Sequence, residues 1–476
     1  MDPSLRPYRY TWPREDLRTI PTWTSHPDGP FLWRPMPEDA HALAADSRWP
    51  AFFPSSLAIA TSACGNDVAV ERVVGATVVN RFPYVLALTV CREPLSRRHH
   101  VRRRFLRVLE GSGQAAVQVL PPGTGLDQAL TALAAVPDDE GNRRLAATRL
   151  ETHAGWTGPS PVFTDAYMVY EGRLAEPGRD FDGALVFASP WVDVGSHRLY
   201  FLEIDAIALR EDLADGRGQL HWRSLPAWTP RIDWTASRRG QRPTGGSGYR
   251  KPYTPHYTFP SSSTAGFEAD DRDLGMAIRH LPPRPADQVE TGNDRARWPC
   301  FFPSSLGLIT TRPAADVPNV MPCGSTMVVS RHPLVLAPCV SYAAINVRYA
   351  PRASLDAIRR TGRFGCGVPY IHRRLVDAIA YAGNTSFADD PDKVAHAGLA
   401  VGSGGESPVL ADLPIHFDCE VTGEIRMGTH TMFLGEARRI LVREDVNPGN
   451  PLDWYPIAAV DAPVPHPCAA SCRGPS

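Results

Sequence analysis

The sequence predicts a mainly β chain of two tandem domain copies, each a small β-barrel or sandwich with a few covering helices. Three observations carry this. A ten-residue segment recurs about half a chain later with one change. Short runs rich in β-branched and aromatic residues, bounded by Gly and Pro, fill both halves. The 47 prolines are about twice the usual share, which opposes a helical bundle because proline interrupts helix interiors.

The repeat is Arg48-Trp49-Pro50-Ala51-Phe52-Phe53-Pro54-Ser55-Ser56-Leu57, answered by Arg297-Trp298-Pro299-Cys300-Phe301-Phe302-Pro303-Ser304-Ser305-Leu306, nine identities in ten at an offset of 249. Chance does not give that match. Weaker parallels follow in order. Thr77-Val78-Val79-Asn80-Arg81 answers Thr326-Met327-Val328-Val329-Ser330-Arg331, and Gly195-Ser196-His197 with Glu203 answers Gly428-Thr429-His430 with Glu436. The domains expected are 1–237 and 295–460, joined by a Gly- and Ser-rich linker at 238–294 and followed by a Pro-rich tail at 461–476.

Expected strands in the first copy are 56–60, 73–80, 84–91, 115–120, 185–187 and 199–207. In the second they are 306–310, 325–330, 334–341, 364–368, 415–422 and 431–442. Helical periodicity appears only at 126–136, 354–360 and 373–380.

A formal net charge of −1 gives no global electrostatic case for nucleic acid or anionic membrane, so the expected partner is a small molecule or another protein. No window approaches the roughly 20 apolar residues of a membrane helix. Nine cysteines, an odd number, and the lack of a basic-then-apolar stretch at Met1 fit a reduced, cytoplasmic protein. Of 50 basic residues only Lys251 and Lys393 are lysines. Signatures of Rossmann, P-loop, hydrolase-elbow and zincin sites are missing, and no metal site is expected.

The second copy resembles the flavin reductase-like family of FMN-binding split barrels, especially its flavoredoxin-like branch. The residues carrying the resemblance are Asn319-Val320-Met321, Ser325 through Val335, Ser354 opening a segment that ends Thr361-Gly362-Arg363-Phe364, Asp392-Lys393 with Gly398-Leu399, Phe417-Asp418-Cys419, and Gly428-Thr429-His430 through Glu436. The first copy keeps Thr77, Asn80 with Arg81, and His197 with Glu203, but has Phe105 opposite Ser354 and Glu71-Arg72-Val73-Val74 in place of the Asn-x-Met entry. The resemblance implies two tandem FMN-binding split β-barrels forming a pseudo-dimer within one chain, with one working groove and one altered.

FMN carries a phosphate dianion, which needs clustered donors, and a flat ring, which needs apolar walls and backbone groups. Asn319, Ser325, Thr326, Ser330, Arg331 and Ser354 are the candidate cofactor ligands, Ser354 standing where a helix start favours an anion. Lys393 is added because lysine is so scarce here; it is either specifically required or a neutral surface residue. His430 and His197, at matching places, are candidates for orientation or proton transfer, or else structural. The basic run Arg97 to Arg104 is either a solvated helix face or a phosphate clamp.

The expected activity is therefore hydride transfer from NAD(P)H to FMN, or FAD, with the reduced flavin serving a partner monooxygenase or another acceptor. Two rivals stay open: a repurposed barrel catalysing a non-reductive cyclisation or isomerisation, and a haem-binding or flavin-storing barrel. Further oligomerisation is left open as well.

Overall fold

The computed structural model describes residues 58–92, 103–120, 129, 132–210, 307–342, 353–369 and 378–443 with short breaks, together with 24–25, 31–35 and 278–281. The repeated RWPxFFPSSL segments, most of the basic run 97–104 and the tail lie outside the described residues, as does all of the linker except 278–281.

Each half builds a nine-stranded antiparallel sheet. The chain enters through β1 (Phe31–Pro35). The first half then runs β2 (Ala58–Cys64), β3 (Asp67–Val73), β4 (Ala76–Arg81), β5 (Tyr84–Cys91), helix α1 (Arg103–Ser112), β6 (Gln114–Val119), helix α2 (Gly141–Ala147), β7 (Met168–Leu174) and β8 (His197–Arg210). After β9 (Ile278–Leu281), the second half repeats the plan. It has β10 (Gly307–Ala314), β11 (Val317–Cys323), β12 (Thr326–Arg331), β13 (Leu334–Ser341), helix α3 (Ala353–Thr361), β14 (Arg363–Val368), helix α4 (Lys393–His396), β15 (Ile415–Arg426) and β16 (His430–Arg443).

The strand order is the same in both halves, β3-β2-β6-β7-β8-β5-β4 in one, and in the other β11-β10-β14-β15-β16 with β16 pairing β13 and β13 pairing β12. The helix between the fourth and fifth strands of each plan, α1 in one half and α3 in the other, ends on a left-handed glycine, Gly113 or Gly362, with φ of 69° and 67°. Glycine takes that backbone at little steric cost, so both helices stop there and feed the next strand.

Two strand pairings cross the expected domain boundaries. Strand β1 pairs with β16 of the second half, while β9, from the stretch expected to be linker, pairs with β8 of the first. The arm preceding each barrel is thus paired with the other barrel, a reciprocal exchange that binds the halves by backbone hydrogen bonds.

Apolar packing joins them as well. Val79, Val85, Ala87, Leu199 and Phe201 share one buried cluster with Met327, Val329, Val335, Ala337 and Met432. At roughly 1.5–3 kcal/mol for each large side chain withdrawn from water, this face outweighs the long hydrogen bonds at its edge, where Thr77 and Thr89 donate to Gly324 and Val328 carbonyls at 3.4 and 3.5 Å. Among the described residues no helix is long and apolar enough to cross a membrane.

Candidate functional site

The best-formed polar group in the second half lies where α3 begins. Register places Thr311 on β10 opposite Asn319 on β11, and α3 packs against both strands. Asn319 Nδ2 lies 3.1 Å from Thr311 Oγ1 and 3.0 Å from Ser354 Oγ, all three residues being buried. Asn319 Oδ1 is buried with no partner. The amide can turn over, because both hydroxyls can donate as well as accept; Oδ1 then receives them and the Nδ2 donor is left facing the unfilled position. A buried amide with one group unsatisfied, beside the first turn of a nine-residue helix whose free N–H groups attract anions, suits a phosphate oxygen.

Lys393 is buried rather than a surface residue. It opens α4, which packs on β11, and its Nζ donates to the carbonyls of Thr385 at 3.0 Å and Ala382 at 3.3 Å. Its charge therefore sits behind the strand that carries Asn319.

A second group lies between the halves. Ser330 is buried, and its Oγ accepts from the Ser196 backbone N–H at 3.2 Å and lies 3.4 Å from Ser196 Oγ. Ser196 Oγ in turn meets His197 Nδ1 at 2.8 Å. His197 is buried, whereas His430 is half-buried at the start of β16, opposite Ser341, its carbonyl accepting from Met427. The two histidines share a place in the repeat but not an environment.

The remaining candidates are on the β11–β12 turn and strand β12. Thr326 donates within the turn to the Cys323 carbonyl at 3.0 Å, and the half-buried Ser325 accepts there from Cys339 N–H at 2.9 Å. Arg331 ends β12, and its side chain is outside the described residues. The structure thus gathers Asn319 and Ser354 in one place and Ser330 with His197 in another. Cys323, Cys339, Cys366 and Cys419 are buried thiols inside the second barrel, and burial pushes the last three well above the usual thiol range.

The first half lacks the polar group. Its matching register pairs Ser62 with Ala69, so Ala69-Val70-Glu71, not Glu71-Arg72-Val73, answers Asn319-Val320-Met321. Phe105, completely buried against a cluster containing Ala69, fills the place of Ser354.

Residues 299–460 match the family model described as "Flavin reductase like domain". The second half is a flavin reductase like domain. Solved structures similar to the chain include the flavoredoxin of Desulfovibrio vulgaris (Miyazaki F), 24% identical over 30% of this chain and 72% of that one, with a TM-score of 0.26. A flavoredoxin from Methanosarcina acetivorans is 18% identical over 37% of this chain and 84% of its own, TM-score 0.28. The nitrilotriacetate monooxygenase component B from Bacillus cereus is 17% identical over 35% and 83%, TM-score 0.30. No curated protein matches the chain.

Two residues at these groups escaped the sequence reading. Thr311 belongs to the flavin reductase like domain and is identified only by the register of β10 with β11. Ser196 lies in the other half and meets Ser330 only because the sheets pack face to face. Its one signal was its place beside His197 in the repeat.

Proposed function

We propose that the flavin reductase like domain binds FMN, with the phosphate received by Asn319, Ser354 and the N-terminal amides of α3, and that the chain is an NAD(P)H-dependent flavin oxidoreductase. The observation that carries this reading is the buried Thr311–Asn319–Ser354 group with its unsatisfied amide. Bound FMN would supply a two-electron acceptor for hydride. The chain's own contribution is placement. Lys393 adds fixed positive charge behind β11, which favours a dianion in a low-dielectric surround. Ser330, held by Ser196, offers a hydroxyl on the face between the halves, where the flat ring would find apolar walls such as Met327 and Val329. His430, less buried than His197, is the better placed of the two to exchange a proton with solvent.

The test is an absorption spectrum of the purified chain titrated with FMN, followed by NADH or NADPH under anaerobic conditions. Flavin bands that bleach on adding either nicotinamide are expected. A chain with no affinity for FMN would overturn the reading, and FMN bound but never bleached would favour storage or the non-reductive alternative.

A further inference from the structure

In the first half, the start of α1 is already occupied by a carboxylate of the protein itself. Asp138 Oδ2 accepts from the Arg104 backbone N–H, in the first turn of this ten-residue helix, at 2.8 Å. Its other oxygen lies 3.2 Å from Arg144 Nη1. Arg144 is completely buried and also binds Glu71 at 2.8 Å, the Val70 carbonyl at 2.9 Å and the Leu133 carbonyl at 2.6 Å. Its Nε is buried with no partner.

Arg144 is the counterpart of Lys393. Both stand at the offset of 249, and both donate to matching carbonyls, Leu133 in one half and Ala382 in the other. At the same offset Asp138 answers Phe387, which brings no carboxylate. The two halves therefore share a buried cation on matching carbonyls, and in the first half that cation also meets Asp138, the carboxylate that accepts from the start of α1. Glu71 offsets the charge of Arg144, and Asp138 supplies a second carboxylate that joins this guanidinium to the N–H at the helix start, where negative charge is favoured.

We infer that Asp138 is a built-in substitute for a phosphate-sized oxyanion: the first half keeps the ancestral anion seat but closes it with its own side chain, so that each chain binds one phosphate-bearing ligand, in the second half. The stoichiometry rests on the FMN reading; the seat itself does not.

Two measurements on the full chain separate these. Asp138→Ala removes the carboxylate and leaves Arg144 in place. In phosphate-free buffer it should melt below the unaltered chain, and inorganic phosphate should restore the melting temperature saturably, where chloride at equal ionic strength does not. Asp138→Ser, a smaller disturbance, should show the same response if the alanine variant fails to fold. No gain from phosphate beyond that of the unaltered chain, in whichever variant folds, would overturn the inference. Equilibrium titration of the unaltered chain with FMN should give one equivalent per chain, and two would also overturn it. A complete lack of FMN binding would sink the flavin reading and leave the phosphate response to decide the seat.

Discussion

The buried Asp180 carboxylate of the first half is ion-paired with Arg426 of the second. Tyr342 of the second half donates to the same oxygen at 2.7 Å, and the Arg426 guanidinium stacks 4.3 Å above the Tyr342 ring. Burial and the neighbouring carboxylate push the Tyr342 phenol up to about 12, so it stays a donor across the working pH range. Asp180 belongs to a hairpin, Gly178–Arg179 with Leu185–Val186, that has no counterpart at this place among the described residues of the second half. Leu174 and Val421 are counterparts, each donating to the glycine that ends its helix, and from there to Gly195 and Gly428 the offset falls from 247 to 233. An insertion in one half has become a clasp on the other.

Asp180→Ala should therefore loosen the halves rather than one barrel. Breaking a fully buried pair costs about 3–5 kcal/mol; Arg426 is 31% exposed at its side chain, so about 2 kcal/mol is expected. Tyr342→Phe should cost about 1 kcal/mol. A double-mutant cycle by denaturant unfolding should show coupling, and strictly additive losses would mean the clasp is not one unit.

The flavin site makes a separable prediction. Ser354→Ala removes one candidate donor to a charged group, worth about 1.5 kcal/mol, or a little over tenfold in FMN affinity. Asn319→Asp keeps the shape but puts like charge beside the phosphate, and should weaken binding further. Both are measured by quenching of FMN fluorescence, with melting temperature as the control. Affinity unchanged in both variants would move the phosphate elsewhere.

Much of this was legible in the sequence, and the omissions have physical causes. Strands β5 and β13 fall where the apolar runs place them, 84–91 and 334–341, because both are buried and bounded by turn residues. Strands β3, β7 and β11 were missed. Of these, β3 and β11 lie at sheet ends, where Glu71 and Arg72 in one and Pro318 and Pro322 in the other are tolerated because an edge strand leaves one row of backbone groups unpaired. Helix α1 was hidden in a basic run. Asn319 and Ser354 stand out as candidates through the family resemblance, whereas Thr311, Asp138 and Asp180 act through partners fixed by register or by contact between the halves, which no local spacing records.

Gly75 tests that contact directly. A Cβ there would lie 2.6 Å from the Val328 carbonyl of the other half and 2.3 Å from Thr89 Oγ1. The carbonyl belongs to β12 and cannot yield without shifting the strand. Gly75→Ala should destabilise by about 1–3 kcal/mol and make the chain easier to cleave by protease between the halves. An unchanged melting temperature would show that the approach is not tight.

The last prediction concerns acid. His416 on β15 is buried, with neither ring nitrogen hydrogen-bonded within the described residues. Its counterpart is Val169, and it lies against Gly365 and Gly367, where a Cβ would come 2.7 Å from Cε1 and 3.2 Å from Cδ2. The glycines make room for the ring. Burial lowers the imidazole from the usual 6.5 to about 4, more than the nearby Asp418 carboxylate raises it. With the folded value below the unfolded one, protons bind the unfolded chain better. Stability is then undiminished above pH 6.5 and falls as the pH drops toward 4, by about 3 kcal/mol in all. His416→Val, copying the first half, should flatten that part of the profile even if the smaller side chain costs stability at pH 7. Denaturant unfolding from pH 7.5 to 4.5 decides it, since an unchanged slope in the variant would place the acid sensitivity on other groups.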